Sequence, residues 1–462
     1  MEQLRQFRTA ANRFFLGTPF FVSLMVLTAF VPIFECELQA TMVYICLISA
    51  ILLICDDILT VFFPFLLACV FLTRCYNCYD EFIVYKFWLV PFLVALVLHF
   101  CLYRQKISLG ETSLGLCLVS VAVTLGAWKS GLGENLMISL YYLIGLGFGM
   151  LLLYVLLRSQ LKAERPYDVK RRFALIMTLT GVFICVCIVI LYIKNWKIWR
   201  ADTSPRLPEF QSANNLSTLL LMIMPFPAWL SRKDKRWLPL FFLMFTGTLF
   251  SISRGGIVMG LAEFAICLLC LAWYDRKNRF KYWGCATAFA IVGICVFALL
   301  LGYLYNDTPT PKNAIAMLSK SLQKVKSENR YKTILRLKDD FLSDPLLGRG
   351  FFWRGNEDFY RPRMGAMNWS HVWFAQIIGN MGLVGIVAYG YQLIERILVT
   401  VRYKSEENWF FFLSYAGLFL MSQVNPGEFC PFPYAALAVV VFILIEEKTL
   451  FPKPKKTEKN ES

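Results

Sequence analysis

The sequence has few charged residues for its size, and this scarcity limits the class of protein. Only 17% of its 462 residues are Asp, Glu, Lys or Arg, whereas 58% are hydrophobic. A soluble domain has about a quarter charged residues and about half apolar ones. The extra apolar residues lie in repeated runs of about 15 to 25 residues, the length that crosses a bilayer core of about 30 Å. This composition excludes an ordinary soluble enzyme and predicts a chain that crosses a membrane many times.

Two motifs that mark common transferase and nucleotide sites are missing. Asp-x-Asp, the usual sign of a metal-chelated nucleotide-sugar site, does not occur. A Gly-rich loop ending in Lys-Ser or Lys-Thr, which would hold the phosphates of ATP, is also missing. We therefore expect no metal site and no cofactor. The net charge of +16 fits the basic loops of a membrane protein, so we expect no nucleic-acid partner.

Histidine is scarce as well, and the chain has only two. His99 lies within an apolar run, where we interpret it as structural. His371 lies between the long polar stretch 306–370 and the next apolar run. Histidine is the side chain best suited to proton transfer near neutral pH. The alternative for His371 is an interfacial ring between Trp369 and Trp373.

The apolar runs predict fourteen spans, and the basic residues predict their orientation. The runs are 14–34, 38–54, 58–73, 82–102, 107–127, 138–157, 173–193, 215–230, 238–252, 256–274, 282–305, 373–395, 409–424 and 432–447. With the N-terminus inside, the inner segments carry 27 Lys and Arg residues and the short outer loops, 425–431 among them, carry 7. Because cytoplasmic loops are enriched in Lys and Arg, we expect both termini in the cytoplasm.

The predicted fold is an all-α integral membrane protein with about 12–14 transmembrane helices and one large extracytoplasmic loop containing amphipathic helices. Its predicted parts are a transmembrane core at 1–305, the large loop at 306–372, C-terminal transmembrane helices at 373–447 and a disordered cytoplasmic tail at 448–462. The tail is polar and basic, a composition that does not bury enough apolar surface to fold. We expect the tail to be dispensable.

The large loop is strongly basic, with twelve Lys and Arg residues in 306–370 on the predicted outer side. This runs against the charge bias, although loops longer than about 60 residues escape that rule. The outer loop 194–214 is basic as well, and its cations include Arg200 and Arg206. A run of charges is usually a solvated face. The alternative is a surface that holds an anionic substrate.

Part of the large loop has a helical pattern. Apolar residues recur at helical spacing over 314–341, with an interruption near 327–329. This pattern predicts one or two amphipathic helices that lie against the outer membrane face. Asp344-Pro345 ends them, and Gly348-Arg349-Gly350 begins an irregular stretch.

Ser253-Arg254-Gly255-Gly256 lies between two apolar runs that leave room for only a tight turn. Arg254 is therefore expected at the outer membrane boundary, beside two glycines that allow close backbone approach. A guanidinium offers paired donors that match phosphate oxygens. The alternative is an arginine that extends to the interface near a helix end, which is common.

Three motifs in the second half of the chain form one pattern. They are Ser253-Arg-Gly-Gly256, then Asn329-Arg330 through Asp344-Pro-Leu-Leu-Gly-Arg-Gly350, then His371 followed by Gly382-Leu-Val-Gly385. Together they resemble the O-antigen ligase and polymerase superfamily of bacterial envelope glycan enzymes. That family has Ser-Arg-Gly-Gly at the outer end of a span, Asn-Arg and Pro-Leu-Leu-Gly-x-Gly in its large external loop, and a histidine before a Gly-Leu-x-Gly entry into the next span.

A weaker fourth match and one departure complete the resemblance, which covers roughly residues 200–400. Phe210–Asn215 is similar to the family's Asn-x-Leu segment before a span. The family usually has Asn after its histidine, where this chain has Val372. Asn368 is the candidate substitute for that asparagine.

The resemblance implies a metal-independent, inverting glycosyltransferase in the bacterial plasma (inner) membrane, with its active site on the extracytoplasmic face. The donor would be a glycan on undecaprenyl diphosphate, and the acceptor would be a glycan or glycolipid. Other polysaccharide assembly proteins are candidate partners. Arg254, Arg330 and Arg349 would bind the diphosphate, and His371 would take the proton of the acceptor hydroxyl. The supporting residues would be Arg200, Arg206, Ser253, Gly255, Gly256 and Asn368.

Two choices stay open. The sequence does not separate a ligase from a polymerase of O-antigen, capsule or exopolysaccharide, and we favour the polymerase because both envelope types need one. The alternative from another class is a lipid-linked oligosaccharide flippase or other secondary transporter. Lys86, Glu111 and Glu263 are the intramembrane charges that such a pathway could use. The repeated halves that many transporters have are not visible.

Overall fold

Every regular element in the described part of the chain is a helix, as the sequence predicts. The structure is a computed structural model that describes residues 2–74, 87, 89–129, 143–163, 165–194, 213–251, 253–307, 329–351, 372–425 and 427–447. The α-helices in chain order are α1 Glu2–Phe15, α2 Thr18–Ala29, α3 Val31–Phe34, α4 Glu37–Ile54, α5 Phe62–Arg74, α6 Leu89–Leu102, α7 Ser113–Lys129, α8 Phe148–Leu161, α9 Val169–Lys194, α10 Ala213–Ile223, α11 Pro225–Lys233, α12 Leu238–Phe250, α13 Arg254–Tyr274, α14 Arg279–Asp307, α15 Asn329–Ser343, α16 Trp373–Arg402, α17 Glu406–Ser422 and α18 Ala436–Glu446. Short 3₁₀ helices lie at Ile58–Val61, Lys235–Trp237, Arg276–Asn278 and Gly427–Phe429, and π-helical turns lie at Leu143–Gly147 and Pro431–Ala435.

The chain is an all-α integral membrane protein. Five helical segments in the described residues are long and apolar enough to cross a bilayer, or six if the bent pair Arg5–Phe15 and Thr18–Phe34 counts as one span. The five are Glu37–Ile54, Leu143–Leu161, Val169–Lys194, Arg254–Tyr274 and Trp373–Arg402. Shorter apolar helices, such as Leu89–Leu102 and Ser113–Lys129, overlap other predicted spans.

Several predicted spans depart from a continuous α-helix. The predicted span 215–230 is divided between α10 and α11 at Met224, because Pro225 lacks the N–H that would continue the first helix. The predicted span 58–73 begins as a 3₁₀ turn, in which the Asp57 carboxylate accepts from the Leu59 N–H at 3.0 Å. α16 runs through a break at Gly382, whose φ of 56° and ψ of −143° are not helical.

Aromatic side chains fill the centre of the bundle. Phe173 of α9 contacts Phe226 of α11 with ring centroids 5.6 Å apart, and Phe226 contacts Phe411 of α17 at 5.1 Å. Phe264 of α13 stacks on Phe245 of α12 at 4.3 Å. Such pairs contribute about 0.5–1.5 kcal/mol each beyond burial. They fix α13 and α17, the two helices that frame the candidate site.

Contacts between helix termini define two ends of the bundle. α13 begins at Arg254 and finishes at Tyr274. Arg232 donates from Nη2 to the Tyr274 carbonyl at 3.1 Å and pairs with Glu406 at the start of α17. We call this the Tyr274 end, and the opposite end, which holds the start of α13, the Arg254 end.

Described segments that are predicted to share a side of the membrane contact one another at the same end. At the Tyr274 end, Lys170 Nζ donates to Asn408 Oδ1 at 2.7 Å, and Asn408 Nδ2 donates to the Ile445 carbonyl at 3.2 Å. At the Arg254 end, Asn425 Nδ2 donates to Asn215 Oδ1 at 3.2 Å. In the described part of the chain, these contacts thus join segments that are predicted to lie on one side of the membrane.

One predicted loop is wrong. Residues 425–431 were expected as a short outer loop, but Glu428 is only 8% exposed and pairs with Arg396 at 3.0 Å. Arg396 belongs to α16, which continues to Arg402, although the predicted span stops at 395. The segment therefore enters the bundle, because the buried guanidinium of Arg396 needs a carboxylate partner.

Candidate functional site

Arg254 is the first residue of α13 at the Arg254 end of the bundle. The preceding Ser253 caps the helix, since its Oγ accepts from the Gly256 N–H at 3.0 Å. The same hydroxyl donates to Asn214 Oδ1 at 2.6 Å, and Ser253 is 1% exposed. Arg254 itself is exposed. A helix N-terminus carries a partial positive charge and first-turn N–H groups without intrahelical acceptors, so it adds to the charge of the guanidinium.

Gly255 and Gly256 let α13 approach its neighbours closely, as the sequence predicts. A Cβ on Gly255 would lie 2.5 Å from Val424 Cγ2, and a Cβ on Gly256 would lie 2.5 Å from Ser217 Oγ. Both distances are far below van der Waals contact. The two glycines therefore hold the first turn of α13 against α10 and against the segment that follows α17.

A cluster of amide and hydroxyl side chains beside Arg254 was missed by the sequence analysis. Asn214 binds Ser253, and Asn215 accepts from Asn425, while Ser217 Oγ and Ser251 Oγ lie 2.6 Å apart. The Phe210–Asn215 match pointed to the first two asparagines without giving them a role. Asn425 carries no local signal, because it is distant in sequence and only the fold brings it to Asn215.

The glycine-bearing turn after α15 binds directly to the break in α16. The N–H of Arg349 donates to the Gly379 carbonyl at 2.8 Å, and the N–H of Gly350 donates to the Asn380 carbonyl at 3.1 Å. In the other direction, the N–H of Leu383 donates to the Pro345 carbonyl at 2.8 Å. The break at Gly382 exposes these backbone groups, and the turn satisfies them.

Two of the sequence motifs are thus halves of one structural unit. Gly348 has φ of +67° and Gly382 has φ of +56°, both in the region that favours glycine. A Cβ on Gly348 would lie 2.7 Å from the Gly382 nitrogen, and a Cβ on Gly382 would lie 2.7 Å from the Gly348 nitrogen. The pairing fixes Arg349 beside the first part of α16.

The side chains around Arg349 stabilise this turn. Arg349 is exposed, and its Nε donates to Ser343 Oγ at 3.1 Å. Asp344 pairs with Lys129 at the end of α7. The hydrogen bond from Lys129 holds the pKa of the Asp344 carboxyl below its usual range. Asp344 is therefore a structural carboxylate, paired with Lys129 at the start of the turn that carries Arg349.

The helix α15 confirms the predicted amphipathic helix in the second half of the large loop. It ends at Ser343, directly before Asp344-Pro345, as expected. Leu337 on α15 packs against Val372 and Ala375 at the start of α16. Arg330 lies in the first turn of α15, and its side chain is outside the described part of the structure.

The C-terminal part of α17 connects the two halves of the site. The ring of Trp373, the first residue of α16, contacts the ring of Phe419 at 5.2 Å. Gly255 of α13 abuts Val424, which follows α17. Arg254 and the start of α16 therefore flank one short stretch of chain at the Arg254 end.

Four predicted site residues lie outside the described residues, and they stay predictions. They are His371, Arg200, Arg206 and Asn368. Val372, which directly follows the predicted base, is buried at 4% exposure beside α15. Among the described residues, no group of three or more His, Cys, Asp or Glu side chains is placed to hold a metal ion.

Comparison with known families gives a match that covers part of this site. Residues 239–390 match a family model described as O-antigen ligase. The matched range contains Arg254, the turn at Arg349 and the break at Gly382. Comparison with curated proteins gave no match, and comparison with solved structures gave none.

Proposed function

We propose that this protein, a member of the O-antigen ligase and polymerase superfamily by the match at residues 239–390, is a membrane glycosyltransferase. Its proposed donor is an undecaprenyl-diphosphate-linked glycan. The family match supports glycosyl transfer of the O-antigen ligase type in a multi-pass inner-membrane protein. We propose further that the donor is used on the extracytoplasmic face, in an inverting reaction that needs no metal.

The position of Arg254 carries the proposal. Its guanidinium lies at the N-terminus of a membrane-spanning helix, where the helix dipole and the first-turn N–H groups also favour an anion. A lipid diphosphate places its phosphates at this depth, close to the membrane boundary. An arginine that only extended to the interface would not require the buried Ser253 cap or the close packing at Gly255 and Gly256.

The proposed reaction follows from the chemistry of the donor. The bond between the anomeric carbon and the diphosphate oxygen breaks, and the diphosphate leaves with the bonding electrons. Arg254, Arg330 and Arg349 stabilise the charge that develops on it, and fixed donors of this kind contribute about 10²–10³-fold each. The acceptor hydroxyl attacks from the opposite face and loses its proton to His371. Direct displacement inverts the anomeric carbon.

The asparagines at the Arg254 end suit the sugar part of the donor or acceptor. Each side-chain amide has two donors and an acceptor with two lone pairs. Asn214 Oδ1 accepts from Ser253, and Asn215 Oδ1 accepts from Asn425. The amide groups keep further hydrogen-bonding capacity for sugar hydroxyls. Their role would be to orient the glycan while the arginines hold the diphosphate.

The test is incubation of purified protein with a defined lipid-diphosphate oligosaccharide. We expect longer chains on the same lipid for a polymerase and transfer to a second lipid for a ligase. Arg254→Ala should abolish product, and Arg254→Lys should stay poor because a point charge does not replace the paired donors. Arg236→Ala is the matched control, since Arg236 lies at the Tyr274 end with its side chain 92% exposed.

Further arms separate the parts of the proposal. His371→Ala should abolish product at normal membrane levels, and full activity of this variant would remove the base assignment. Activity should survive excess EDTA, and its loss there would indicate a metal. Movement of the lipid-linked oligosaccharide across vesicle membranes without new glycosidic bonds would favour the flippase alternative.

A further inference from the structure

A large cavity at the Tyr274 end of the bundle lies outside the candidate site. Its volume is about 1330 Å³. α1, the turn at Asp56-Asp57, the segment after α8 and the start of α9 line it. The proposed glycosyl transfer takes place at the Arg254 end and uses none of these residues. The cavity therefore needs a separate explanation.

The wall of this cavity is strongly basic. Its basic lining residues are Arg5, Arg8, Arg13, Arg165 and Arg172, and its acidic ones are Asp56 and Asp57. These arginines come from three separate parts of the chain. The excess of positive charge indicates an anionic ligand.

The two aspartates do not neutralise the arginines of α1. Asp57 is 4% exposed, pairs with Arg165 and accepts from the hydroxyl of Tyr167. Asp56 accepts from the amide of Asn12. Both carboxylates are thus engaged by other groups on the cavity wall.

The arginines of α1 keep their charge for a ligand. Within the described part of the chain, no carboxylate pairs with Arg5, Arg8 or Arg13. The guanidinium of Arg8 lies 4.9 Å from the ring of Tyr103, a contact that orients it without removing its charge. On the far wall, Arg172 Nη1 donates to the Leu16 carbonyl at 2.9 Å, which fixes the start of α9 beside α1.

The shape of the N-terminal segment places this cavity at the depth of lipid head groups. α1 is amphipathic and meets the following apolar segment at an angle of 53°. Phe7 and Phe14 on α1 are 58% and 59% exposed. A helix with exposed phenylalanines and arginines lies in the membrane interface, with its rings toward the acyl chains.

We propose that this cavity binds the phosphate-bearing head group of an anionic phospholipid. The guanidinium groups of Arg5, Arg8 and Arg13 offer paired donors to phosphate oxygens. Thr9 and Asn12 also line the cavity, and their polar side chains suit the hydroxyl groups of a head group. Phosphatidylglycerol has both a phosphate and hydroxyl groups in its head group, and it is therefore the probe.

The test counts lipids bound to the full-length protein by native mass spectrometry as the mole fraction of phosphatidylglycerol in the detergent rises. Phosphatidylcholine is the uncharged comparison. Each arginine near an anionic surface contributes roughly a fivefold factor in affinity. The triple variant Arg5→Gln, Arg8→Gln, Arg13→Gln should therefore bind about a hundredfold more weakly at low salt. Unchanged binding would overturn the proposal.

A matched control removes the same charge elsewhere at the Tyr274 end. Arg236, Arg276 and Lys277 are exposed and lie outside the cavity. The variant with all three changed to Gln should bind phosphatidylglycerol almost as the wild type does. A loss equal to that of the α1 triple variant would mean that binding depends on general surface charge and not on the cavity. If the α1 triple variant unfolds, Arg5→Gln alone replaces it, because Arg5 is exposed and should show about a fivefold loss.

A last arm separates the lipid from a soluble phosphate ester. Glycerol 3-phosphate is titrated into the same protein in phosphatidylcholine. We expect no saturable binding of glycerol 3-phosphate, because it lacks the acyl chains that would contact the apolar side of α1. Tight binding of glycerol 3-phosphate that depends on the three arginines would overturn the lipid assignment.

Discussion

Gly348 and Gly382 meet backbone to backbone, and neither position has room for a side chain. Gly348→Ala would place a methyl group 2.7 Å from three backbone atoms of α16 and force alanine to a φ of +67°. A residue held in such a region costs about 1–3 kcal/mol before any clash. We expect a lower unfolding temperature in detergent and loss of transfer activity. Tryptophan fluorescence and the lipid-linked assay measure the two effects.

The control for this substitution lies on α16, the helix that the turn at Gly348 contacts. Gly390→Ala adds a methyl group that, outside its own stretch of helix backbone, has no atom of the described residues within 4 Å, and alanine is favoured over glycine in a helix by about 1 kcal/mol. This variant should keep or slightly raise the unfolding temperature. If Gly348→Ala and Gly390→Ala behave alike, the turn does not depend on the break in α16.

At the scale of elements, Arg396 and Glu428 fasten the segment after α17 to α16. Their side chains are 9% and 7% exposed, and the Arg396 guanidinium lies 4.6 Å from the ring of Tyr415. Removing one partner of a buried pair costs about 3–5 kcal/mol, because the other charge is left unpaired. Arg396→Met and Glu428→Gln should each destabilise strongly. The double variant should recover part of the loss, as thermal unfolding would show.

An exposed pair provides the comparison for this prediction. Arg402 and Glu111 pair at 2.6 Å with side chains 65% and 32% exposed. Such pairs contribute about 0–1 kcal/mol. Arg402→Gln should therefore change the unfolding temperature little. A loss as large as that of Arg396→Met would mean that burial is not what makes the Arg396 pair important.

The sequence predicts the elements better than the contacts between them. Apolar runs locate the helices, and the glycines at 255 and 256 correctly indicate that the first turn of α13 packs closely against its neighbours. The pairing of Gly348 with Gly382 was not predictable, because each motif reports only its own backbone. The predicted span ends at 395, directly before the charge of Arg396, although α16 continues to Arg402. The local sequence pattern does not show that Glu428, distant in sequence, pairs with Arg396 and so offsets the cost of burying its charge.

At the scale of the whole molecule, the C-terminal helix is fastened to the rest of the bundle by its last residues. Glu446 accepts from the Thr112 N–H at 2.8 Å and from the Tyr154 hydroxyl at 2.7 Å. Glu447 pairs with Arg158 at 2.6 Å. Truncation after Glu447 should therefore leave stability and activity unchanged, whereas truncation after Leu444 should lower the unfolding temperature. If both truncations changed the unfolding temperature equally, Glu446 and Glu447 would not be what holds the C-terminal helix in place.

The two ends of the bundle lead to a prediction about the orientation of the whole chain. Among the described residues, segments predicted to be inside contact one another at the Tyr274 end, and segments predicted to be outside do so at the Arg254 end, apart from Glu428, which is buried against Arg396. The proposed reaction needs the Arg254 end outside, where the charge bias of 27 against 7 basic residues also places it. Lys277→Cys and Lys338→Cys test the two ends, since both lysines are exposed. Lys277 belongs to the Tyr274 end, and Lys338 lies on α15, next to the turn that carries Arg349.

A membrane-impermeant maleimide should label Lys338→Cys on intact spheroplasts, and it should label Lys277→Cys only after permeabilisation. The wild-type protein gives the background from its native cysteines, several of which are exposed on helices. Labelling of both variants after permeabilisation shows that each thiol is reactive. The reverse pattern would place Arg254 in the cytoplasm, where a lipid-linked donor would have to be used before export. It would also move the arginine-rich cavity to the outer leaflet, so this one measurement bears on both ends of the molecule.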